Sequence, residues 1–136
     1  MLLESKVKII PRNLISDERG WFLKVIDGKE ENLPMKTGEI YLTNAKEGHA
    51  KGGHYHLKAS EWFTLLSGSC DLLLVDIETN EKMTIKLCDK VPKTIYVPKG
   101  IAHIFVNTGK DAFLLLAYSD LLYDPEDTIP YNLFNI

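Results

Sequence analysis

The sequence predicts an all-β domain, either a closed barrel or a two-sheet jelly roll. Short runs rich in Ile, Val, Leu, Tyr and Phe recur along the chain, and Gly, Asn, Pro and Asp punctuate them. From Gly38 onward nothing has the apolar period of a long amphipathic helix. A closed or doubled sheet leaves few such strands with an unpaired edge.

The candidate strands, in order, are 7–10 (VKII), 21–26 (WFLKVI), 38–44 (GEIYLTN), 52–57 (GGHYHL), 61–67 (EWFTLLS), 70–77 (CDLLLVDI), 82–88 (KMTIKLC), 94–97 (TIYV), 102–107 (AHIFVN) and 112–119 (AFLLLAYS). Between them, "SGS" at 67–69, "ETNE" at 78–81 and "NTGKD" at 107–111 supply residues that tolerate tight or left-handed backbone, and they are read as successive antiparallel hairpins. Pro92 and Pro98 flank strand 94–97, where no interior ladder bond is lost. The tail "DPEDTIPYNLFNI" at 124–136 is too apolar to be disordered. Tyr131, Leu133, Phe134 and Ile136 need cover, on the barrel or on a second subunit.

At 136 residues the chain is read as one domain, with N-terminal strands in 1–37, a barrel core in 38–119 and a docking tail in 120–136. Its 45% apolar and 26% charged residues are ordinary for a soluble globular protein. A net charge of −3 argues against a nucleic-acid partner. No apolar run approaches the roughly 18 residues that would span a bilayer, so no membrane association and a cytoplasmic location are expected. Cys70 and Cys88 read as small buried thiols, without a disulfide between them.

Chemistry concentrates in "GHAKGGHYHLKASEWFTLLSGS", residues 48–69. In a strand, side chains two apart share a face, so His54 and His56 project together while Tyr55 points the other way. The alternation of "EWFTLL" puts Glu61, Phe63 and Leu65 on one face. If that face is the interior, a carboxylate joins the two imidazoles, and His103, at the start of a later strand, can make a fourth member. Three His and one Glu suit Mn, Fe, Ni, Zn or Co. His49 precedes the paired strand and is read as peripheral.

The spacing of this segment resembles the first cupin motif, G-x5-H-x-H-x4-E-x6-G, at every defined position from Gly48 to Gly68. "PKGIAHIFVN" resembles the second motif through Pro98, Gly100, His103 and Asn107, with Pro92 where that motif opens on glycine. The resemblance implies a double-stranded β-helix jelly roll, a cupin barrel, with the site inside. His54, His56, Glu61 and His103 are the metal ligands it implies, with zinc the first choice if a metal is required at all.

The flanks narrow the resemblance. "DERGWF", residues 17–22, looks like the segment that opens dTDP-4-dehydrorhamnose 3,5-epimerases, where the arginine meets the nucleotide pyrophosphate; this implies a phosphate role for Arg19. A guanidinium suits that role by bidentate hydrogen bonding, and Lys51 can add a point charge. "LLYDPED" resembles the segment whose aromatic stacks on the nucleotide base, which implies Tyr123, with Trp21 and Trp62 as further stacking candidates. This chain departs from the epimerases in reading "HYH" and in carrying Ala117 where their general-acid tyrosine falls; Tyr118 stands one position along. "KGGHYHLKASEWFTLLSGSC" is similar to sugar 3,4-ketoisomerases, with Lys51 in place of an arginine. "GGHYH" and "YSDLLYDPEDTIPY" are similar to the zinc-binding C-terminal cupin of capsular polysaccharide enzymes.

All three relatives act on 4-keto nucleotide sugars. The expectation is therefore an isomerase, an epimerase or ketoisomerase of a nucleotide-linked 4-keto-6-deoxy sugar in surface polysaccharide biosynthesis. The C4 carbonyl acidifies the neighbouring C3 hydrogen, and an imidazole with a pKa near about 6.5 can remove it. His54 is the first choice of base; a protonated His56, a tyrosine such as Tyr118, or a metal would stabilise the enediolate. The alternatives are a metal-dependent cupin of oxygenase type and a non-catalytic sugar-binding module. A homodimer is expected, because the apolar N-terminal strand and tail exceed what one barrel needs and the relatives exchange strands.

Overall fold

Two five-stranded antiparallel sheets face each other, and the side chains between them form the core. The computed structural model describes residues 1–135; Ile136, one of the tail residues expected to need cover, lies outside them. After a one-turn helix, α1 (Leu3–Lys6), come β1 (Lys8–Pro11), β2 (Leu14–Asp17), β3 (Gly20–Leu23), β4 (Glu39–Ala45), β5 (Ala50–Tyr55), β6 (Glu61–Ser67), β7 (Ser69–Asp76), β8 (Lys82–Cys88), β9 (Lys93–Val97), β10 (Ile101–Asn107), β11 (Phe113–Ser119) and β12 (Ile129–Pro130). The first sheet runs β1-β9-β6-β11-β4 and the second β12-β5-β10-β7-β8, the strand alternation of a jelly roll. β2 and β3 form a separate two-stranded sheet.

Every expected strand is present, with boundaries shifted by no more than a few residues. β2 was not expected, because Asn13, Ser16 and Asp17 interrupt its apolar residues and make it read as loop. The turn reading needs correction. Only "ETNE" closes a hairpin, β7–β8, where Asn80 takes φ 63. "SGS" carries the chain from β6 in one sheet to β7 in the other, and "NTGKD" does the same from β10 to β11. Gly68 serves this corner with φ +97, and a Cβ there would stand 3.0 Å from Phe113 Cα. In a two-sheet fold a tight turn between consecutive strands can change sheet as readily as close a ladder.

Alternation decides what is inside. Phe63 and Leu65 of β6, Leu72 and Leu74 of β7, Phe105 of β10 and Phe113, Leu115 and Ala117 of β11 all belong to the inter-sheet core. The buried Cys70 thiol lies in the same core, and burial pushes its pKa up to about 12; Cys88, also expected inside, is exposed because it falls on the outward alternation of β8 next to buried Leu87. A second apolar cluster lies on the other side of the β5–β10–β7 sheet, where Leu133 of the tail packs with Val75, Ala102 and Ile104, against half-buried Tyr55 and Tyr131. The tail thus docks on the barrel, while Phe134 stays 62% exposed. No helix among the described residues is long and apolar enough to cross a membrane.

Candidate functional site

β5 and β10 carry the imidazoles, and their pairing brings them together. His54 and His103 are direct register partners, and the register shifts between His103 and Ile104. Gly52 makes this possible: with φ +109 its backbone approaches so closely that a Cβ would lie 2.7 Å from the His103 carbonyl oxygen. His56 lies just past the end of β5 and still faces the same point. The ring centroids of His54 stand 5.0 Å from those of both His56 and His103, and one ligating nitrogen from each of the three falls within 4.8 Å of the others.

Glu61, at the start of β6, is buried at the edge of this cluster. Its Oε1 lies 2.9 Å from His56 Nε2 and 3.8 Å from His103 Nε2, while its Oε2 accepts a hydrogen bond from Tyr41 Oη at 2.7 Å. The His56 contact is close but not aligned as a hydrogen bond, so Oε1 has no hydrogen-bond partner among the described residues. Two carbonyls orient the rings: His56 donates Nδ1–H to Asp127 at 2.8 Å, and His103 donates Nδ1–H to Ile101 at 3.0 Å. Both therefore turn Nε2 toward Glu61.

These surroundings drive the three histidines apart. Burial, then the neighbouring His103 and His56, lowers His54 to about 4, so it is neutral. Burial works against charge on His56 as well, but the Glu61 carboxylate beside it outweighs burial and raises its pKa above the ordinary value. Burial, with a smaller push from His56, keeps His103 below its ordinary value despite Glu61 and the Ile101 carbonyl. Burial would raise Glu61, yet His56, His103 and the Tyr41 hydroxyl bring it below the usual carboxylate range. A neutral imidazole thus faces, across a few ångströms, one that the Glu61 carboxylate draws toward its protonated form.

The cluster opens into a cavity of about 340 Å³ whose wall includes Glu39, Tyr41, His54, His56, Glu61, Ser119, Tyr123 and Asp127. A smaller chamber of about 160 Å³ continues past His54 and His103 toward Thr43 and Lys51. Tyr123 is exposed at the rim of the first, and Lys51 is exposed on β5 beside the second. Three imidazoles, two of them held by backbone carbonyls, and an unpartnered buried carboxylate oxygen suit a divalent cation.

Other expected site residues lie elsewhere. Tyr118 is directed to the outer face of the first sheet: it is the register partner of Trp62, stacks on that ring at 5.3 Å, and its hydroxyl meets Thr37 Oγ1 at 3.3 Å. One residue along a strand reverses the side chain, and it is Ala117 that faces inward. Trp62 is 1% exposed between Tyr96 and Tyr118, a packing residue. Arg19 and Trp21 lie on the β2–β3 hairpin beside a shallow concavity separate from the histidine cavity, and Arg19 is bonded to Asp17 at 2.6 Å. His49 is exposed.

Two residues of the site escape sequence reasoning. Tyr41 shares the inward alternation of β4 with Glu39 and Thr43, a signal that was present in "GEIYLTN". Asp127 carries no local signal, since its partners are about 70 positions away.

A family model described as "Polysaccharide biosynthesis C-terminal domain" matches residues 15–131. The spore coat polysaccharide biosynthesis protein SpsL of Bacillus subtilis (strain 168) is 25% identical over 126 residues, which cover 89% of this chain and 82% of that protein. TDP-4-oxo-6-deoxy-alpha-D-glucose-3,4-oxoisomerase of Aneurinibacillus thermoaerophilus is 27% identical over 123 residues, covering 90% and 84%. Among solved structures, dTDP-6-deoxy-D-glucose-3,5-epimerase RmlC from Legionella pneumophila Philadelphia 1, in complex with dTDP-4-keto-L-rhamnose, has the same fold with a TM-score of 0.81, at 20% identity over 92% of this chain and 72% of that one. The matched segment takes in the strands of both sheets that carry the cluster, together with Tyr41, Tyr123 and Asp127, and the chain belongs to the polysaccharide biosynthesis C-terminal domain family.

Proposed function

We propose that this protein is an isomerase that moves a proton next to the C4 carbonyl of a nucleotide-linked 4-keto-6-deoxy sugar, as an epimerase or 3,4-ketoisomerase of surface polysaccharide biosynthesis. The observation that carries this is the pairing, in one cavity, of His54, lowered to about 4, with His56, which lies 2.9 Å from the Glu61 carboxylate and is raised by it. Two titratable groups of one type pushed in opposite directions is the pattern of an acid and a base. The names of the oxoisomerase and epimerase relatives supply the substrate class.

His54 is the base: its free lone pair takes the C3 hydrogen. The low pKa makes it available at any working pH and makes it a weaker acceptor, at about 1.4 kcal/mol per unit. The enediolate therefore needs strong stabilisation. His56, donating from Nε2, and Tyr41, once its Oη turns from Glu61 to the substrate, are the groups at hand. A proton returned to the opposite face of C3 gives epimerisation. Return to C4, with the O3 hydroxyl proton lost and O4 protonated so that the carbonyl now stands at C3, gives the ketoisomer. Tyr41 replaces Tyr118 as the candidate acid in this reading.

A cation reading has its own observation, the three converging imidazoles with Glu61 Oε1 unpartnered. His54, His56 and His103 would hold the metal, zinc by ligand type, with Glu61 beside it, and it would supply Lewis-acid stabilisation of the enediolate. The nucleotide end is assigned to Lys51, Tyr123 and, from a second copy, Arg19 and Trp21. A homodimer is supported by the β2–β3 hairpin, which exposes Ile15, Trp21 and Phe22 by 57–63% and would be marginal alone.

Incubation with dTDP-4-keto-6-deoxyglucose in D2O tests the reaction. Deuterium at C3 or C5, or a new ketosugar, is expected. Neither product with any 4-keto-6-deoxy nucleotide sugar sinks the reading.

A further inference from the structure

We infer that Asp127 is a positioning residue: through its backbone carbonyl and its carboxylate at once, it makes the C-terminal tail hold His56 in its working orientation. This role rests on the proposed use of His56 for its consequence in turnover, while the orientation itself is a property of the fold.

Residues 56–60 connect His56 to Glu61, so the path of this short loop sets where the imidazole meets the carboxylate. Backbone N–H groups there need acceptors. Asp127 supplies one carboxylate to three of them: Oδ1 accepts from Leu57 at 2.8 Å and Lys58 at 3.0 Å, and Oδ2 accepts from Ala59 at 3.1 Å. A carboxylate taking three backbone donors clamps a loop far more firmly than a neutral acceptor would.

The same residue reaches the ring. Its carbonyl oxygen accepts Nδ1–H of His56 at 2.8 Å, which fixes the ring flip and leaves Nε2 for the cavity. Asp127 is 6% exposed although it sits in a tail of exposed residues, Leu121 to Glu126. Beyond it the tail continues as a strand along the histidine-bearing β5: Ile129 pairs with Tyr55, Pro130 with His54, and Tyr131 N–H donates to the Gly53 carbonyl. The tail is thus the outer rail of the strand that carries His54 and leads into His56, and Asp127 is the point where it grips the loop and the ring together.

The test compares Asp127→Ala and Asp127→Asn with the parent protein and with Glu126→Ala, an exposed neighbour, as control. In the parent and the control, a protected His56 Nδ1–H cross-peak is expected in 1H–15N spectra. In Asp127→Ala it should broaden away through exchange with water, and kcat on the keto sugar should fall about 10- to 100-fold with KM within about twofold. Asp127→Asn, which keeps the volume and one acceptor oxygen, should recover part of both. A folded Asp127→Ala with the cross-peak still protected and kcat unchanged overturns the inference. Should that variant not fold, an unaltered His56 signal and kcat in folded Asp127→Asn overturn it equally. Loss of the cross-peak in a protein that, unmutated, turns over no keto sugar would support the positioning role while removing the proposed function.

Discussion

Tyr41 and Glu61 meet at 2.7 Å although their strands are not neighbours: β11 runs between β4 and β6. In register, Tyr41 stands opposite Ala117 and Glu61 opposite Ser119. These two small inward side chains leave a lane over β11, and the phenol of Tyr41 crosses it to the carboxylate. A large residue at position 117 would fill that lane. The absence of a tyrosine at Ala117 and the presence of one at Tyr41 are therefore two halves of one arrangement.

From this relationship, Tyr41→Phe and Tyr118→Phe should behave oppositely. The first removes a donor from the cavity and should lower kcat about 100-fold, in the range of losing one oxyanion donor, and should cost about 1–3 kcal/mol of stability because buried Glu61 Oε2 loses its hydrogen bond. The second removes a hydroxyl on the outer face and should leave kcat within about twofold. Steady-state kinetics of the two variants decides this, and equal losses would mean that neither hydroxyl acts as described.

The pH profile follows from the histidines. His54 has a folded pKa of about 4, below its ordinary 6.5, so its contribution to stability is fully present above 6.5 and is lost as pH falls through about 4. His56 is raised above 6.5, so its contribution is present below 6.5 and is lost as pH rises through the folded value. Glu61 is lowered from 4.5 and its contribution is lost as pH falls through its folded value. Turnover needing neutral His54 and charged His56 should therefore show an acid limb near about 4 and an alkaline limb above 6.5. Glu61→Gln removes the charge that holds the proton on His56 and should move the alkaline limb down by about 1–3 units. A limb that stays in place would assign it to another group.

What the sequence disclosed, and what it withheld, divides along the period of a strand. His54 with His56, and Glu61 with Phe63 and Leu65, were legible because alternate residues of one strand share a face, and that rule needs no knowledge of the partner strand. Tyr118 shows the same rule at work, since one position separates the cavity from the outer face. The Tyr41–Glu61 contact depends on the lane over β11, which requires the sheet order. Asp127 was hidden for a different reason. Its three N–H partners are backbone groups, which carry no residue-type signal, and they lie about 70 positions away.

Zinc binding should be measurable on the purified protein. The three nitrogens that would ligate it must be unprotonated, so affinity should rise with pH as His56 loses its proton. At 100 times Kd, Zn2+ would stabilise the fold by about 2.7 kcal/mol, visible as a higher Tm. His103→Ala should abolish that shift, because it removes the ligand most deeply buried in the cluster. An unchanged Tm in the parent protein across micromolar to millimolar Zn2+ would reject the cation reading and leave Glu61 Oε1 to the His56 proton alone.

Arg19 offers a test of the dimer. It lies on a hairpin whose concavity is separate from the histidine cavity, so a phosphate role requires that it serve the cavity of a second copy. Arg19→Ala should then raise KM about tenfold with kcat within about twofold, since a lost charge-assisted contact weakens binding of substrate and transition state alike. His54→Ala should be inactive with its hairpin intact. Co-refolded one to one, half of the dimers would be mixed, and in each the sound cavity of the Arg19→Ala chain would receive Arg19 from the other. Activity at low substrate should therefore recover to about a quarter of the parent value. Simple averaging of the two variants, with no recovery, would mean that each cavity works without its neighbour's arginine.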